Sequence, residues 1–223
     1  MVRSSFFSIG LLLLCGTSQA ATYYLHPTAG DDARDGVSPV APWKSLERIK
    51  TARLQPGDRV LLARGQTFSG QLSLVGLAGT REAPIVVSSY SPTSGADEAR
   101  ATINGRGFVA AVHLRNCRHI EITDLIVTAD GGGLRPGQPP KADMRCGVLV
   151  EADAAGAYEG FLLTKLLVRD VSFEEPGFVR PQADVNTANG TTRYGWGIRF
   201  IVKSPEARLS GVTVTDCQIE NVN

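Results

Sequence analysis

An all-β chain of stacked strand-corner-strand units is the fold class this sequence predicts, and three observations predict it. First, IEITDLIV at 120–127, LLVRDVSF at 166–173 and VTVTDCQI at 212–219 repeat one arrangement of apolar residues around an aspartate, with Asp124, Asp170 and Asp216 spaced 46 residues apart. Second, the apolar parity slips at each aspartate. Apolar residues fall four and two positions before it (Ile120, Ile122; Leu166, Val168; Val212, Val214) and one and three after it (Leu125, Val127; Val171, Phe173; Cys217, Ile219). Side chains on a strand alternate faces, so both halves point inward only if the chain turns at the aspartate, a residue type that tolerates left-handed backbone. Third, 223 residues with 43% hydrophobic content and 24 glycines suit many short strands and tight turns in one elongated domain.

Residues 1–20 read as a secretory signal, with Arg3 in the basic region, an apolar core from Phe6 to Leu14, and Ser18-Gln19-Ala20 at the cleavage positions. The apolar run is far shorter than the roughly 20 residues that span a bilayer, so no membrane span is expected. A lipid anchor through Cys15 is disfavoured because Leu14 stands where a small residue is needed. The mature protein is expected to be secreted or periplasmic, and monomeric. Loss of Arg3 leaves 22 basic against 22 acidic residues, which excludes nucleic-acid binding driven by bulk charge.

Residues 21–55 form a cap segment. Trp43, Leu46, Ile49, Ala52 and Leu54 recur at roughly helical spacing after Ser45 as a cap residue, and Pro56-Gly57-Asp58 ends the run in a turn. A stack of strand coils leaves its first apolar cross-section open to water, and a short amphipathic helix here is positioned to cover it. Asp31, Asp32, Asp35 and Gly36 loosely echo a calcium loop but lack its downstream ligands, which favours turn chemistry. Residues 56–223 form the coils, beginning with VLLA at 60–63, IVVSSY at 85–90 and ATI at 101–103. The chain stops at Asn223 directly after a strand, so the coil stack is expected to be truncated there.

Three cysteines remain after the signal, Cys117, Cys146 and Cys217, so at least one thiol is unpaired within the chain. Cys217 shares an apolar slot with Leu125 and Val171, which predicts a buried thiol. His26, His113 and His119 lack metal-ligand spacing, with His119 expected in the turn before the first repeat. Asn189-Gly190-Thr191 matches a glycosylation sequon, which matters only in a eukaryotic host.

Long irregular insertions at 128–146 and 174–196 precede the short strands GVLV at 147–150 and GIRFI at 197–201. Stacked coils lie about 4.8 Å apart, so the insertions should stand side by side as a wall; loops of that length are uncommon unless functional or disordered. If Val112, Leu114, Val148, Val150, Ile198 and Phe200 point inward, the alternating row beside the wall carries His113, Arg115, Glu151 and Arg199, with Lys203 and Asp153 following. Taken singly, each of these charged residues is more commonly just a solvated strand face.

The segments YYLHPTAGDDARDGVSPVAPWKSLERI at 23–49, LQPGDRVLLARGQTF at 54–68 and GTREAPIVVSSY at 79–90 resemble the N-terminal module of secreted right-handed parallel β-helix proteins of the pectin-lyase-like superfamily, among them pectate lyases, alginate lyases and chondroitinase B. The resemblance spans nearly all of the mature chain. It implies an all-β, right-handed parallel β-helix with an N-terminal capping helix, and a polysaccharide groove along one sheet bordered by long loops. It also implies a lyase that cleaves a uronate-containing glycan by β-elimination. Such chemistry neutralises a carboxylate and removes the neighbouring proton. The corresponding expectations are Lys203 or Arg199 as base and Arg193 as carboxylate clamp. His113, Tyr194 and Trp196 would contact the sugar, and Glu151 with Asp153 would form a Ca²⁺ pair. Other readings stay open: a β-helical glycoside hydrolase drawing two carboxylates from Glu151, Asp153, Glu174 and Glu175, a non-catalytic carbohydrate-binding or adhesion module, and a purely structural repeat.

Overall fold

The computed structural model describes residues 19–93, 98–131, 144–173, 179, 182 and 194–222. The expected signal segment lies outside them except for its last two residues. A first strand, β1 (Thr22–Leu25), and one short helix, α1 (Glu47–Thr51), precede the coils. The coils are β2 (Arg59–Ala63), β3 (Thr67–Ser69) and β4 (Leu72–Val75); β5 (Ile85–Tyr90), β6 (Ala101–Asn104) and β7 (Ala110–Arg115); β8 (Ile120–Thr123), β9 (Leu125–Ala129) and β10 (Met144–Ala152); β11 (Gly156–Thr164), β12 (Leu167–Val171) and β13 (Tyr194–Val202); then β14 (Ala207–Thr215) and β15 (Gln218–Val222).

Each coil gives one strand to each of three parallel sheets. The orders are β1-β2-β5-β8-β11-β14, β4-β7-β10-β13 and β3-β6-β9-β12-β15. This is a parallel β-helix, as expected. Its interior is a stack of like positions: Ile120, Phe161 and Val212 lie in register, as do Ile122, Leu163 and Val214. All but the last-coil members are fully buried, and Val212 and Val214 are half exposed.

The corners are where the sequence reading needs correction. Asp124 and Asp216 adopt left-handed backbone, φ 57° and 53°, as the parity slip requires. Strand pairing, however, aligns both with Lys165 (φ 52°), because Thr123 pairs with Thr164 and Thr164 with Thr215. Asp170 (φ 53°) instead sits one strand later, at a register shift in β12, opposite Asn221 (φ 50°). Coils of unequal length happen to place an aspartate midway between Asp124 and Asp216, and hydrogen-bonded register, not sequence spacing, decides equivalence. Cys217 therefore stacks after Leu125 and Leu166, not Val171, and it is half-buried with its Sγ near Leu163 O at 3.5 Å.

The helix is a single turn, shorter than its apolar spacing suggests. Leu46 is its cap position and offers no side-chain bond. Ser45 donates its hydroxyl to Asp32 Oδ2 at 2.6 Å, while the Ser45 and Lys44 N–H groups donate to Asp32 Oδ1. Partial burial alone would raise the Asp32 carboxyl, but these bonds hold it below the usual range. The acidic run is thus turn chemistry, as expected. Asp58 of the Pro-Gly-Asp turn is buried and accepts from Ala21 and Gln55 N–H. Trp43, Leu46, Ile49 and Leu54 all join the main core.

Gly147 and Gly197 lie within β10 and β13, which line the candidate groove. A Cβ on Gly147 would lie 2.4 Å from Val168 Cγ1 and 2.7 Å from Gly197 O, so this position faces the core at a close approach of backbone. Gly147→Ala should lower the free energy of unfolding by about 1–3 kcal/mol, the usual cost of overpacking a filled interior. Urea denaturation followed by circular dichroism would measure it, and an unchanged midpoint would mean that the coil yields there without cost.

Candidate functional site

The outer face of the four-stranded sheet carries the site. Register places Ser73, His113, Leu149 and Arg199 in one row across four coils and Val75, Arg115, Glu151 and Ile201 in the next. Val112, Leu114, Val148 and Val150 are buried in the core beneath, as expected, Ile198 packs against it, and Phe200 on the edge strand β13 is partly exposed. The sequence reading missed that this face is partly apolar. Ala110, Met144, Cys146 and Leu149 form a second apolar cluster, separate from the core and flanked by Val109 and Ile201. The cue was available in the alternation, since Leu149 and Ile201 share the parity of His113 and Glu151.

Glu151 is the centre of an ionic group. Its Oε2 lies 3.1 Å from His113 Nε2, and its Oε1 accepts from Lys203 Nζ at 2.9 Å. The Glu151 side chain is only 8% exposed, so an unpaired charge there would be costly. The hydrogen bond to His113, reinforced by Lys203 and opposed by burial, lowers its pKa to about 2. Beside it, Asp153 accepts from Arg115 Nε at 2.7 Å and from Asn116 Nδ2 at 2.6 Å.

These contacts alter the expected roles. Lys203 is the cation of a tight pair and donates into it, which is not the arrangement of a waiting base. Glu151 and Asp153, expected together on Ca²⁺, instead enter separate ion pairs, and no group of three or more His, Cys, Asp or Glu that could hold a metal occurs among the described residues. The Arg199 guanidinium lies 4.6 Å from the centre of the Trp196 ring. That stacking suits binding better than proton removal, since guanidinium does not give up its proton in proteins.

The strands beside the insertions reach further than expected. β9 runs to Ala129, β10 starts at Met144 and β13 at Tyr194, so Tyr194 and Trp196 belong to a strand and not to a loop. Trp196 pairs with Cys146 and is 36% exposed. Arg193, Glu174, Glu175, the sequon and most of both insertions lie outside the described residues.

No protein-family model matches the chain. A lacto-N-biosidase of Bifidobacterium longum subsp. longum is 43% identical over 94 residues, which is 41% of this chain and 6% of that protein. The crystal structure of a GH136 lacto-N-biosidase from Eubacterium ramulus superposes with a TM-score of 0.69 and 25% identity, over 91% of this chain and 35% of that one. An alginate lyase from Paenibacillus sp. str. FPU-7 gives a TM-score of 0.36 at 17% identity, too low to bear on the chemistry. The chain thus spans about a third or less of the glycosidases it matches, and these likenesses lie on the side of the hydrolase alternative and not of the lyase.

The depressed pKa of Glu151 makes a stability prediction. A carboxyl whose folded pKa lies below its ordinary value of 4.5 contributes stability above that value and loses it as pH falls towards about 2. Glu151→Gln should cost about 2–3 kcal/mol at pH 7, and the difference from the parent should shrink steadily from pH 4.5 to pH 2. Urea midpoints across that range would measure it. A pH-independent difference would mean that the loss is one of packing.

Proposed function

We propose that the outer face of the four-stranded sheet binds a neutral glycan and that the protein serves the hydrolysis of glycosidic bonds, after export to the periplasm or the medium. The observation that carries this reading is the 43% identity to a lacto-N-biosidase over 94 residues. The site is consistent with it. Arg115 and Lys203 are matched by Asp153 and Glu151 and Arg199 is stacked on Trp196, so two of these three cations are neutralised, whereas a uronate polymer calls for unpaired cations. Trp196 offers an aromatic face to a sugar ring, and His113, Lys203 and Arg199 offer donors to hydroxyls.

Glycoside hydrolysis also needs one carboxyl held protonated beside a second carboxylate. Glu151, with a pKa of about 2, cannot be the acid at neutral pH. Its role is to fix His113 and Lys203. That observation favours a second reading, a non-catalytic carbohydrate-binding module, in which the same face binds without cleaving.

Trp196 fluorescence separates these readings. The only other tryptophan, Trp43, is 3% exposed and stacked on Tyr23, so it should stay silent. Lacto-N-biose should quench the emission saturably, and Trp196→Ala should weaken binding measured by calorimetry about tenfold or more. Release of lacto-N-biose from a chromogenic glycoside, without a rise near 235 nm on pectate or alginate, supports hydrolysis. Binding without release supports the second reading. A 235 nm rise, with or without Ca²⁺, would restore the lyase and overturn the proposal.

A further inference from the structure

A second cleft, of about 410 Å³, lies on another face of the helix, across β8, β11 and β14, and shares no residue with the groove. Its size is that of a small-ligand site. Its shape comes from one corner repeated in three coils: His119, Gly160 and Gly211 occupy equivalent positions, all left-handed at φ 49°, 76° and 59°. Two of the three lack side chains, so the wall drops into a trough. His119 closes one end of it; a Cβ on Gly160 would fall 2.2 Å from His119 Nδ1.

The lining carries two carboxylates, Glu121 and Glu159, and one guanidinium, Arg81. The Glu121 carboxylate has no hydrogen-bond or ion-pair partner among the described residues. The Glu159 carboxylate is 3.8 Å from His119 Nε2, beyond hydrogen-bond length, and 55% exposed. Between them the floor is apolar, with Leu162 in register with Glu121 on one side and the Thr213 hydroxyl residue on the other. Two carboxylates outweigh the one guanidinium of the lining, Arg81, so an anion is disfavoured. A divalent cation is also disfavoured, since the described residues hold no ligating group of three. What the lining fits is a small neutral molecule with several hydroxyl donors on one edge and a C–H face on the other.

We propose that this cleft is a second saccharide-binding site, holding one pyranose unit with its ring over Leu162 and the glycine trough and its hydroxyls on Glu121 and Glu159. It is independent of the groove reading and can stand if that fails. Amide shifts of the full chain would be followed by heteronuclear NMR during titration with methyl β-galactoside and with N-acetylglucosamine. Saturable shifts at Gly160 and Gly211 are expected with at least one of the two sugars. They should weaken at least tenfold in Glu121→Ala/Glu159→Ala, vanish in Thr213→Trp, which fills the cleft, and persist in Trp196→Ala. The undisturbed remainder of each spectrum would report that the variants fold. Absence of saturable shifts with both sugars, shifts that survive the double substitution, or displacement of the sugar by methylammonium would overturn the proposal, the last by making the cleft a cation site.

Discussion

Every coil must lie in parallel register on the coil before it while keeping the same positions turned inward, and the rest of the molecule follows from that constraint. A strand that satisfies it cannot enter the next sheet without a local reversal of side-chain parity. The chain makes that reversal with single residues in left-handed backbone, which costs an ordinary residue about 1–2 kcal/mol. Asp124 shows how the corner is held. Its N–H donates to Thr164 O at 3.3 Å, its carbonyl accepts from Ser89 Oγ at 2.5 Å, and its carboxylate pairs with Arg64. Lys165 takes the same backbone in the next coil, so the position dictates the conformation and the side chain only eases it.

The same register makes the candidate site. His113, Glu151 and Lys203 are far apart in sequence, yet β7, β10 and β13 lie side by side, and the Glu151 carboxylate reaches diagonally to His113 on one neighbour and to Lys203 past the end of the other. A nearly buried carboxylate without partners would cost several kcal/mol. Two donors offset that cost, and in doing so they fix a permanent negative charge on the floor of the groove. The result is a rigid set of donors around an anion that does not titrate near neutrality, and rigid donors recognise hydroxyl groups well because little is lost in ordering them.

Much of this was legible in the sequence, for a physical reason. Alternation of apolar residues is a property of single strands, so the faces of Val112, Val148 and Ile198, and hence the outward row with His113, Glu151 and Arg199, could be assigned without coordinates. The strand IVVSSY and the left-handed aspartates were readable for the same reason. What failed depended on pairing between strands. The equal spacing of Asp124, Asp170 and Asp216 suggested one ladder, but coil lengths vary and Lys165 carries the middle corner. Trp196 was placed at the end of the insertion 174–196, whereas it lies within β13. The ion pairs of Glu151 and Asp153 were out of reach, because opposite charges on one face do not reveal which will meet.

Those ion pairs also bear on chemistry. β-Elimination at a uronate begins with neutralisation of its carboxylate; Lys203 and Arg115 would have to leave Glu151 and Asp153 to provide it, which leaves Arg199, stacked on Trp196. Hydrolysis of a neutral sugar makes no such demand, and paired cations still donate hydrogen bonds. Hydrolysis has its own requirement, a carboxyl that stays protonated, and the hydrogen bond from His113 with the charge of Lys203 acts against it at Glu151. A proton-donating carboxyl in this architecture must therefore sit where the stacked coils place no cation beside it, and the floor of the groove around Glu151 is not such a place.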